Sequence, residues 1–335
     1  MLAPDGGAKS VPVLETGRQG GTVSHSKTTT TRRPTPARHS LVRPGEPFGD
    51  LHVHTDFSDG VDPPERVVER AAELGFSFLA VADHDTVRGV APARRRAEAL
   101  GFRLVPAVEL SATTETGDVH FLGYFVDVED KNFTAALSAV ESRRRERVRQ
   151  MVEKLRRLGV PADADAFFAG YAKGLVGRLN LAAYLVEEGL VASMQEVFSR
   201  YLGTDRPAYE PVNALTTGEA IQIFRRAGGV PVMAHPGRTG VDGLIPKLVT
   251  EGLCGIEAYH SGHSKSVAES YRRLAESRGL LVTGGSDCHG RDDPKALMGT
   301  VRVPPAFVEA LEAEADAVRR SGTLSAGELS EAEGG

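Results

Sequence analysis

Between about residue 47 and residue 320 the chain alternates short apolar runs with stretches of helical period, the pattern of repeated βα units. The runs DLHVH (50–54), FSFLAVADH (76–84), RLVPAVEL (103–110), DVHFLGYFV (118–126), GVPVMAHP (229–236), GIEAYH (255–260), LLVTGGSDCH (280–289) and MGTVRV (298–303) are expected to be strands. Helices are expected over 63–75, where a proline pair opens the segment, and over 86–100, 218–228, 241–252, 264–279 and 304–319. The rhythm breaks from about Asn132 to Leu215, which shows only helical pattern and begins with the charged stretch ESRRRERVRQMVEKLRRLG (141–159). An α/β core of residues 47–131 and 216–320 with an all-helical insertion at 132–215 is the natural reading. The basic run of that insertion fits either a solvated helix face or a surface that gathers substrate.

The two ends depart from this pattern. Residues 1–46 are rich in Gly, Ser, Thr, Pro and Arg, carry the run Thr28 to Thr31 followed by Arg32 and Arg33, and are expected to form a disordered extension. His25 and His39 fall inside it and are therefore read as solvated residues rather than ligands. Residues 321–335 are similarly polar and are expected to be a frayed tail. With 335 residues and 41% hydrophobic content, the chain can bury a full core.

Charge narrows the chemistry only a little. A net charge of -5 gives no global attraction to nucleic acid or to an anionic membrane, so an anionic substrate must be held by local positive charge or by metal. The two cysteines, Cys254 and Cys288, sit in or beside apolar runs and suit reduced thiols better than a disulfide. No apolar run approaches the roughly 18 residues that span a bilayer, and the first residues lack the pattern of a signal peptide, so a cytoplasmic location is expected.

The metal-capable residues fall at particular places in the strand pattern. His52 and His54 alternate on one strand and so project from the same face. Asp59 follows in the next loop, His84 ends the second strand, Glu109 lies near the end of the third and His120 lies in the fourth. His235 closes VPVMAH, and Asp287 and His289 close LLVTGGSDCH. In parallel α/β barrels the carboxyl ends of the strands share one face, so ligands scattered from His52 to His289 are expected to converge there. Imidazole and carboxylate without thiolate suit Zn, Mn or Fe in open sites that retain water, and this many donors can hold two or three ions. Paired metals about 3.5–4 Å apart activate a water for attack and clamp the oxygens of a phosphoester. The remaining transition-state charge calls for arginine: Arg238, in HPGR just after His235, and Arg178, in GLVGRLN at an expected helix start, are the candidate catalytic residues.

DLHVHTDFSDG (50–60), VADHDT (81–86) and GSDCHG (285–290) resemble the polymerase and histidinol phosphatase (PHP) superfamily, over about residues 48 to 305. The resemblance implies a distorted (β/α)7 barrel holding three metals. It implies one metal on His52, His54, Glu109 and Asp287, a second on Glu109, His120 and His235, and a third on Asp59, His84 and His289. Within the superfamily, GRLNLAAYLVEEGLVASMQEVFSRYLG (177–203), RPAYEP (206–211), AHPGR (234–238) and GIEAYHSGHS (255–264) resemble a bacterial branch that acts on nucleoside 3',5'-bisphosphates and on the 5' ends of short RNA. That resemblance implies phosphate contacts from Arg178 and Arg238 and a pocket-lining role for Tyr209. Relatives usually read GRPH where this chain has Gly177-Arg178-Leu179-Asn180, which leaves open how Asn180 affects substrate choice. His260 and His263, just beyond a strand end, are read as orienting or surface groups rather than ligands.

The sequence therefore points to a phosphoester hydrolase that releases phosphate from a nucleotide, a nucleoside monophosphate or 3',5'-bisphosphate, with 5'-3' trimming of short RNA as a related activity. Histidinol phosphate is the competing substrate, against which the insertion and HPGR argue. A silent metal-binding module is the competing class, against which the full set of ligands argues.

Overall fold

In the computed structural model the described residues are 37–115, 117–170, 176–211, 215–290 and 297–332. Most of the expected N-terminal extension, His25 included, and the last three residues lie outside them. In chain order the elements are β1 (His39–Ser40), β2 (Gly49–Val53), α1 (Pro64–Glu73), β3 (Phe78–Val81), α2 (Val90–Ala99), β4 (Arg103–Thr114) and β5 (Gly117–Tyr124). The insertion follows as α3 (Lys131–Arg157), α4 (Ala164–Gly170), α5 (Arg178–Glu187), α6 (Met194–Val197) and a π-helical turn at Phe198–Leu202. The chain then returns through α7 (Thr217–Arg226), β6 (Val230–Met233), α8 (Ile245–Glu251), β7 (Gly255–His260), α9 (Lys265–Ser277), β8 (Leu281–Gly285), β9 (Val301–Arg302) and α10 (Pro305–Ala332).

Seven strands form one sheet in the order β2-β3-β4-β5-β6-β7-β8. A parallel bridge between Val53 and Cys288, with the His54 amide donating to the Cys288 carbonyl at 2.9 Å, brings the last strand back to the first. The sheet is thus a nearly closed barrel. The strict βα repeat expected from the sequence holds except at β5, which runs antiparallel to both β4 and β6. A tight hairpin joins β4 to β5, so no crossover helix is needed between them. His120 lies near the start of β5, opposite Ser111, and this reversed direction puts it on the same end of the barrel as the carboxyl ends of the parallel strands.

Capping marks where the helices begin. Asp130 accepts from the Phe133 amide at 2.7 Å at the start of α3, and Thr216 and Glu219 form a reciprocal capping box at the start of α7. The apolar stripe of α3 serves two cores. Phe133, Leu137 and Val140 pack with Leu110, Phe121, Ile221 and Phe224 outside the barrel sheet. Val148, Met151, Val152 and Leu155 pack with Phe167, Leu181 and Leu185 inside the insertion. The helix therefore ties the insertion to the barrel along a continuous i, i+3, i+4 face.

Three expectations change. Residues 37–46 are not wholly extension: β1 pairs in parallel with β9, and His39 is buried, its Nε2 3.0 Å from the His263 carbonyl. The solvated reading of His39 fails because a low-complexity context says nothing about an apolar groove awaiting a partner strand. The helix at 241–252 opens as a 3-10 turn at Asp242–Leu244 before α8, since Pro246 suits a first turn and not a helix interior. α10 continues to Ala332 rather than stopping at the expected frayed tail, as residues such as Leu, Ala and Glu permit.

Candidate metal centre

The barrel end that carries the ligands is built from loops that leave the strands abruptly. Asp85, His235 and Asp287 all sit at positive φ, 55°, 28° and 56°, in a region that side chains other than glycine seldom occupy. Each lies on or beside a candidate ligand just past a strand end, where the chain turns sharply out of the sheet. Between Asp50 and Val53 the pairing of β2 with β3 also shifts register, bending the strand that bears His52.

Glu109 is the hub. Its Oε1 lies 2.9 Å from His120 Nδ1 and 3.0 Å from His235 Nε2. Its Oε2 lies 3.2 Å from His52 Nε2, His54 Nε2 and His84 Nδ1. The carboxylate thus presents each oxygen to a different set of imidazoles. His52 Nε2 and His54 Nε2 are only 3.1 Å apart, and Asp287 Oδ1 lies 3.2 Å from His54 Nε2. Asp59 Oδ1 lies 3.2 Å from His289 Nε2, and Asp59 Oδ2 lies 3.8 Å from His84 Nε2.

Three groups have donor atoms mutually within 4.8 Å: His54, Asp59, His84 and His289; His52, His54, Glu109 and Asp287; and His84, Glu109 and His120. The second is the first metal set that the resemblance implies. The first adds His54 to the implied third set. In the last, His84 joins Glu109 and His120 where the resemblance implies His235, which approaches Glu109 without belonging to a group. His54 and His84 each face two groups because their two ring nitrogens point to opposite sides.

This donor set fits divalent cations. Imidazole nitrogens face one another and shared carboxylates, the buried Nδ1 of His235 has no hydrogen-bond partner, and the buried Nδ1 of His84 approaches Glu109 Oε2 at 3.2 Å without hydrogen-bond geometry. Elsewhere the second ring nitrogen is fixed. His289 Nδ1 lies 2.9 Å from the Asp287 carbonyl, which leaves Nε2 toward Asp59, and His52 Nδ1 lies 3.0 Å from Glu257 Oε1, which leaves Nε2 toward Glu109. His54 is deeply buried, yet the carboxylates of Asp287 and Glu109 hold its pKa up at about 10. Burial wins at His84, which is pulled down to about 3. The site is mostly closed, with Asp59, His120 and His289 as its partly exposed edge.

Several residues beyond the ligands shape the site, and one of them, Glu257, was not singled out from the sequence. Glu257 in β7 is fully buried; Oε1 meets His52 and Oε2 accepts the His235 amide at 2.8 Å. Burial opposes its ionisation, but the charge of His52 holds it below the ordinary carboxylate range. A glutamate in the apolar run GIEAYH is the signal that marks it. Asp83 accepts from the Thr55 amide, the Thr55 hydroxyl and the Ser58 hydroxyl, each at 2.7 Å, and so folds the loop that carries Asp59. Asp50 Oδ1 accepts from the Ser286 amide at 2.8 Å, tying β2 to the turn before Asp287. His260, buried, takes the Gly262 amide on Nδ1 at 2.9 Å and so presents Nε2 to Asp287 Oδ2 at 3.3 Å. His263, also buried, accepts the Gly237 amide on Nε2 at 3.2 Å and steadies the turn between His235 and Arg238.

The two candidate arginines occupy different places. Arg238 is largely exposed, with Nη1 3.2 Å from Asp287 Oδ2, at the metal-bearing end. Arg178 stands at the start of α5 in the insertion, its guanidinium 5.1 Å from the centre of the Tyr209 ring and 3.5 Å from the Leu202 carbonyl. Asn180 follows in the first turn of the same helix and is half-buried. Both cysteines are free. Among the described residues no helix is long and apolar enough to cross a membrane.

The chain is similar to several known proteins. The family model described as "PHP domain" matches residues 50–154. The 5'-3' exoribonuclease Rnm of Escherichia coli strain K12 is 32% identical over 251 residues, which cover 72% of this chain and 84% of that protein. The 3',5'-nucleoside bisphosphate phosphatase of Chromobacterium violaceum is 32% identical over 263 residues, covering 76% of this chain and 92% of that one. A crystal structure from Bifidobacterium adolescentis, assigned as a metal-dependent phosphoesterase, superposes with a TM-score of 0.69 at 31% identity over 80% of this chain and 96% of that one. With this barrel, this cluster and relatives matched over most of their length, the chain belongs to the PHP family of metal-dependent phosphoester hydrolases.

Proposed function

We propose that the chain releases phosphate from a nucleotide bearing a terminal phosphomonoester, a nucleoside 3',5'-bisphosphate or a monophosphate, at a centre of two or three divalent cations. The observation that carries this reading is Glu109, whose two oxygens face separate histidine sets at 2.9–3.2 Å, as a carboxylate shared between cations does. His52, His54, Glu109 and Asp287 would hold one ion, Glu109, His120 and His235 a second, and Asp59, His84 and His289 a third. Mn, Fe and Zn all suit these donors. Bound there, such ions supply Lewis acidity toward phosphate oxygens and an activated water.

The chain's own residues do the rest. Glu257 orients His52 and His235 together, and His260 orients Asp287. Arg238 keeps its guanidinium at the open edge, where it can pair with a phosphate oxygen and offset charge that builds up on it. Arg178 is the second phosphate contact, reached from the insertion. The similarity to a 5'-3' exoribonuclease supports trimming of short 5'-phosphorylated RNA at the same centre.

The test is phosphate release, with added Mn and metal content measured in parallel, from nucleoside monophosphates, 3',5'-bisphosphates, histidinol phosphate and a short 5'-phosphorylated RNA. Turnover is expected to be fastest for a nucleotide substrate. A metal-loaded protein that turns over none of them, or only histidinol phosphate, overturns the reading.

A further inference from the structure

The short strand ahead of the barrel reaches toward the site through one side chain. β1 is only two residues long, yet its backbone is pinned: the amides of Arg38 and His39 donate to the Thr300 carbonyl at 2.7 and 3.0 Å, and the Leu41 amide donates to the Arg302 carbonyl at 3.0 Å. The buried His39 ring meets Tyr259 of β7 edge-on, with ring centres 5.9 Å apart. Its Nε2 lies 3.0 Å from the His263 carbonyl and is the donor of that pair, because a carbonyl only accepts. Burial pulls the pKa of His39 below the ordinary histidine range, so the ring makes this bond as a neutral imidazole.

The carbonyl that His39 holds belongs to the 260–263 turn. Within that turn the His263 amide donates to the His260 carbonyl and the Gly262 amide donates to His260 Nδ1, each at 2.9 Å. Both histidines face the loop that carries Arg238. His263 Nδ1 donates to the Ala258 carbonyl at 2.8 Å, which leaves Nε2 to accept the Gly237 amide at 3.2 Å. His260 Nε2 and Arg238 Nη1 meet the same oxygen, Asp287 Oδ2, at 3.3 and 3.2 Å. The arginine stem also passes over the turn, since a Cβ added to Gly262 would lie 3.7 Å from Arg238 Cδ. On the far side of the loop Tyr271 of α9 packs its ring 5.6 Å from that of His263 and donates its hydroxyl to Asp242 at 2.8 Å.

We propose that His39 is a positioning residue for the hydrolytic site: by holding the His263 carbonyl it fixes the 260–263 turn as the platform that aims Arg238 at a substrate phosphate. The inference rests on the reading of Arg238 as a phosphate contact and adds to it a residue from a strand that precedes the barrel. A largely exposed guanidinium is aimed only as well as the backbone beneath it is fixed. A misplacement of about 1 Å at a group that orients substrate can cost about a hundredfold in rate, and His39, acting through one intervening turn, controls a part of that.

The experiment is a double-mutant cycle on the full chain loaded with Mn, with phosphate release from a nucleoside 3',5'-bisphosphate as the rate and bound metal measured in parallel. His39→Ala is expected to lower kcat/KM by at least about fivefold with metal content unchanged. His39→Gln, whose side-chain amide nitrogen takes the place of Nε2 and still donates, is expected to stay within about twofold of the wild type. In an Arg238→Ala background the same His39→Ala change should cost less than about twofold, because the platform no longer has an arginine to aim, whereas a general loss of packing costs the same in both backgrounds. A second readout needs no turnover: in metal-free protein, amide hydrogen exchange in 235–242 and 260–264 should quicken in His39→Ala while β2 to β4 keep their wild-type protection. Should His39→Ala fail to fold, His39→Leu, which fills the space without a donor, takes its place in both measurements. Equal losses in the two backgrounds, His39→Gln as impaired as His39→Ala, or wild-type exchange in both segments overturns the proposal. A wild type that releases no phosphate from any substrate would instead sink the phosphatase reading, and the exchange measurement would then decide alone whether His39 fixes the turn.

Discussion

His52 Nδ1 lies 3.0 Å from Glu257 Oε1, and the other oxygen of that glutamate accepts the backbone amide of His235. One buried carboxylate on β7 therefore fixes the ring of a histidine on β2 and the backbone of a histidine past β6. Outer partners of this kind usually contribute ten- to a hundredfold to metal affinity. Glu257→Gln keeps the shape and one hydrogen bond but removes the charge that holds the His52 ring. Metal affinity, read by competition with a chromophoric chelator, is expected to fall by about ten- to a hundredfold. Wild-type affinity in the variant would show that the contact is only packing.

Glu109→Gln tests the hub. The amide can bond at most one of the two imidazole sets in the manner of a carboxylate oxygen, and it cannot share negative charge between cations. Bound metal is expected to drop by at least one ion per chain, and kcat/KM by at least about a hundredfold, since stabilisation by clustered cations is worth several kcal/mol. Metal analysis alongside kinetics checks this, and full metal content with near-normal kinetics would count against Glu109 as a shared ligand.

The contrast between Glu109 and Glu257 shows what could be read in the sequence and what could not. Alternating His52 and His54, and ligand types clustered at the ends of apolar runs, made a convergent site an expectation because strand period and barrel geometry leave few other outcomes. Strand positions were legible for the same reason. The reversal of β5 was not, because a hairpin and a crossover begin with the same apolar run, and only the missing helix between Leu110 and Asp118 hints at the difference. Glu257 was hidden because a single charge in GIEAYH reads as a strand edge until its partners are known. His39 shows the opposite error, where composition suggested solvent and a distant strand, β9, provided burial.

Gly123 tests the barrel wall. A Cβ added there would lie 2.2 Å from Phe224 Cδ1, inside the core shared by β5 and α7. Phe224 is fully buried among close-packed neighbours and cannot retreat without opening a void. Gly123→Ala is expected to cost about 1–3 kcal/mol, seen as a lower urea midpoint with an unchanged slope. A midpoint equal to the wild type would mean that the α7 interface is more yielding than its packing implies.

The charge state of His54 makes a prediction about metal-free protein. Burial disfavours its cation, but Asp287 and Glu109 outweigh burial and hold its pKa at about 10, so the ring is protonated at neutral pH when no ion is bound. Loading metal must then expel at least about one proton per chain near pH 7.5, measurable by calorimetry in buffers of different ionisation enthalpy. The sign for stability follows from the same shift. Above the unfolded value of about 6.5 the native state holds more protons than the unfolded state, so metal-free protein should lose stability as pH rises from about 6.5 toward 10. His84 does not cancel this, because its pKa is lowered to about 3 and its effect falls below pH 6.5. Metal-loaded protein, with His54 deprotonated in its native state, lacks that contribution and should keep a flatter melting-temperature profile over the same range. Parallel profiles for the two forms, together with no proton release on loading, would rule out His54 as a residue that exchanges its proton for a metal ion.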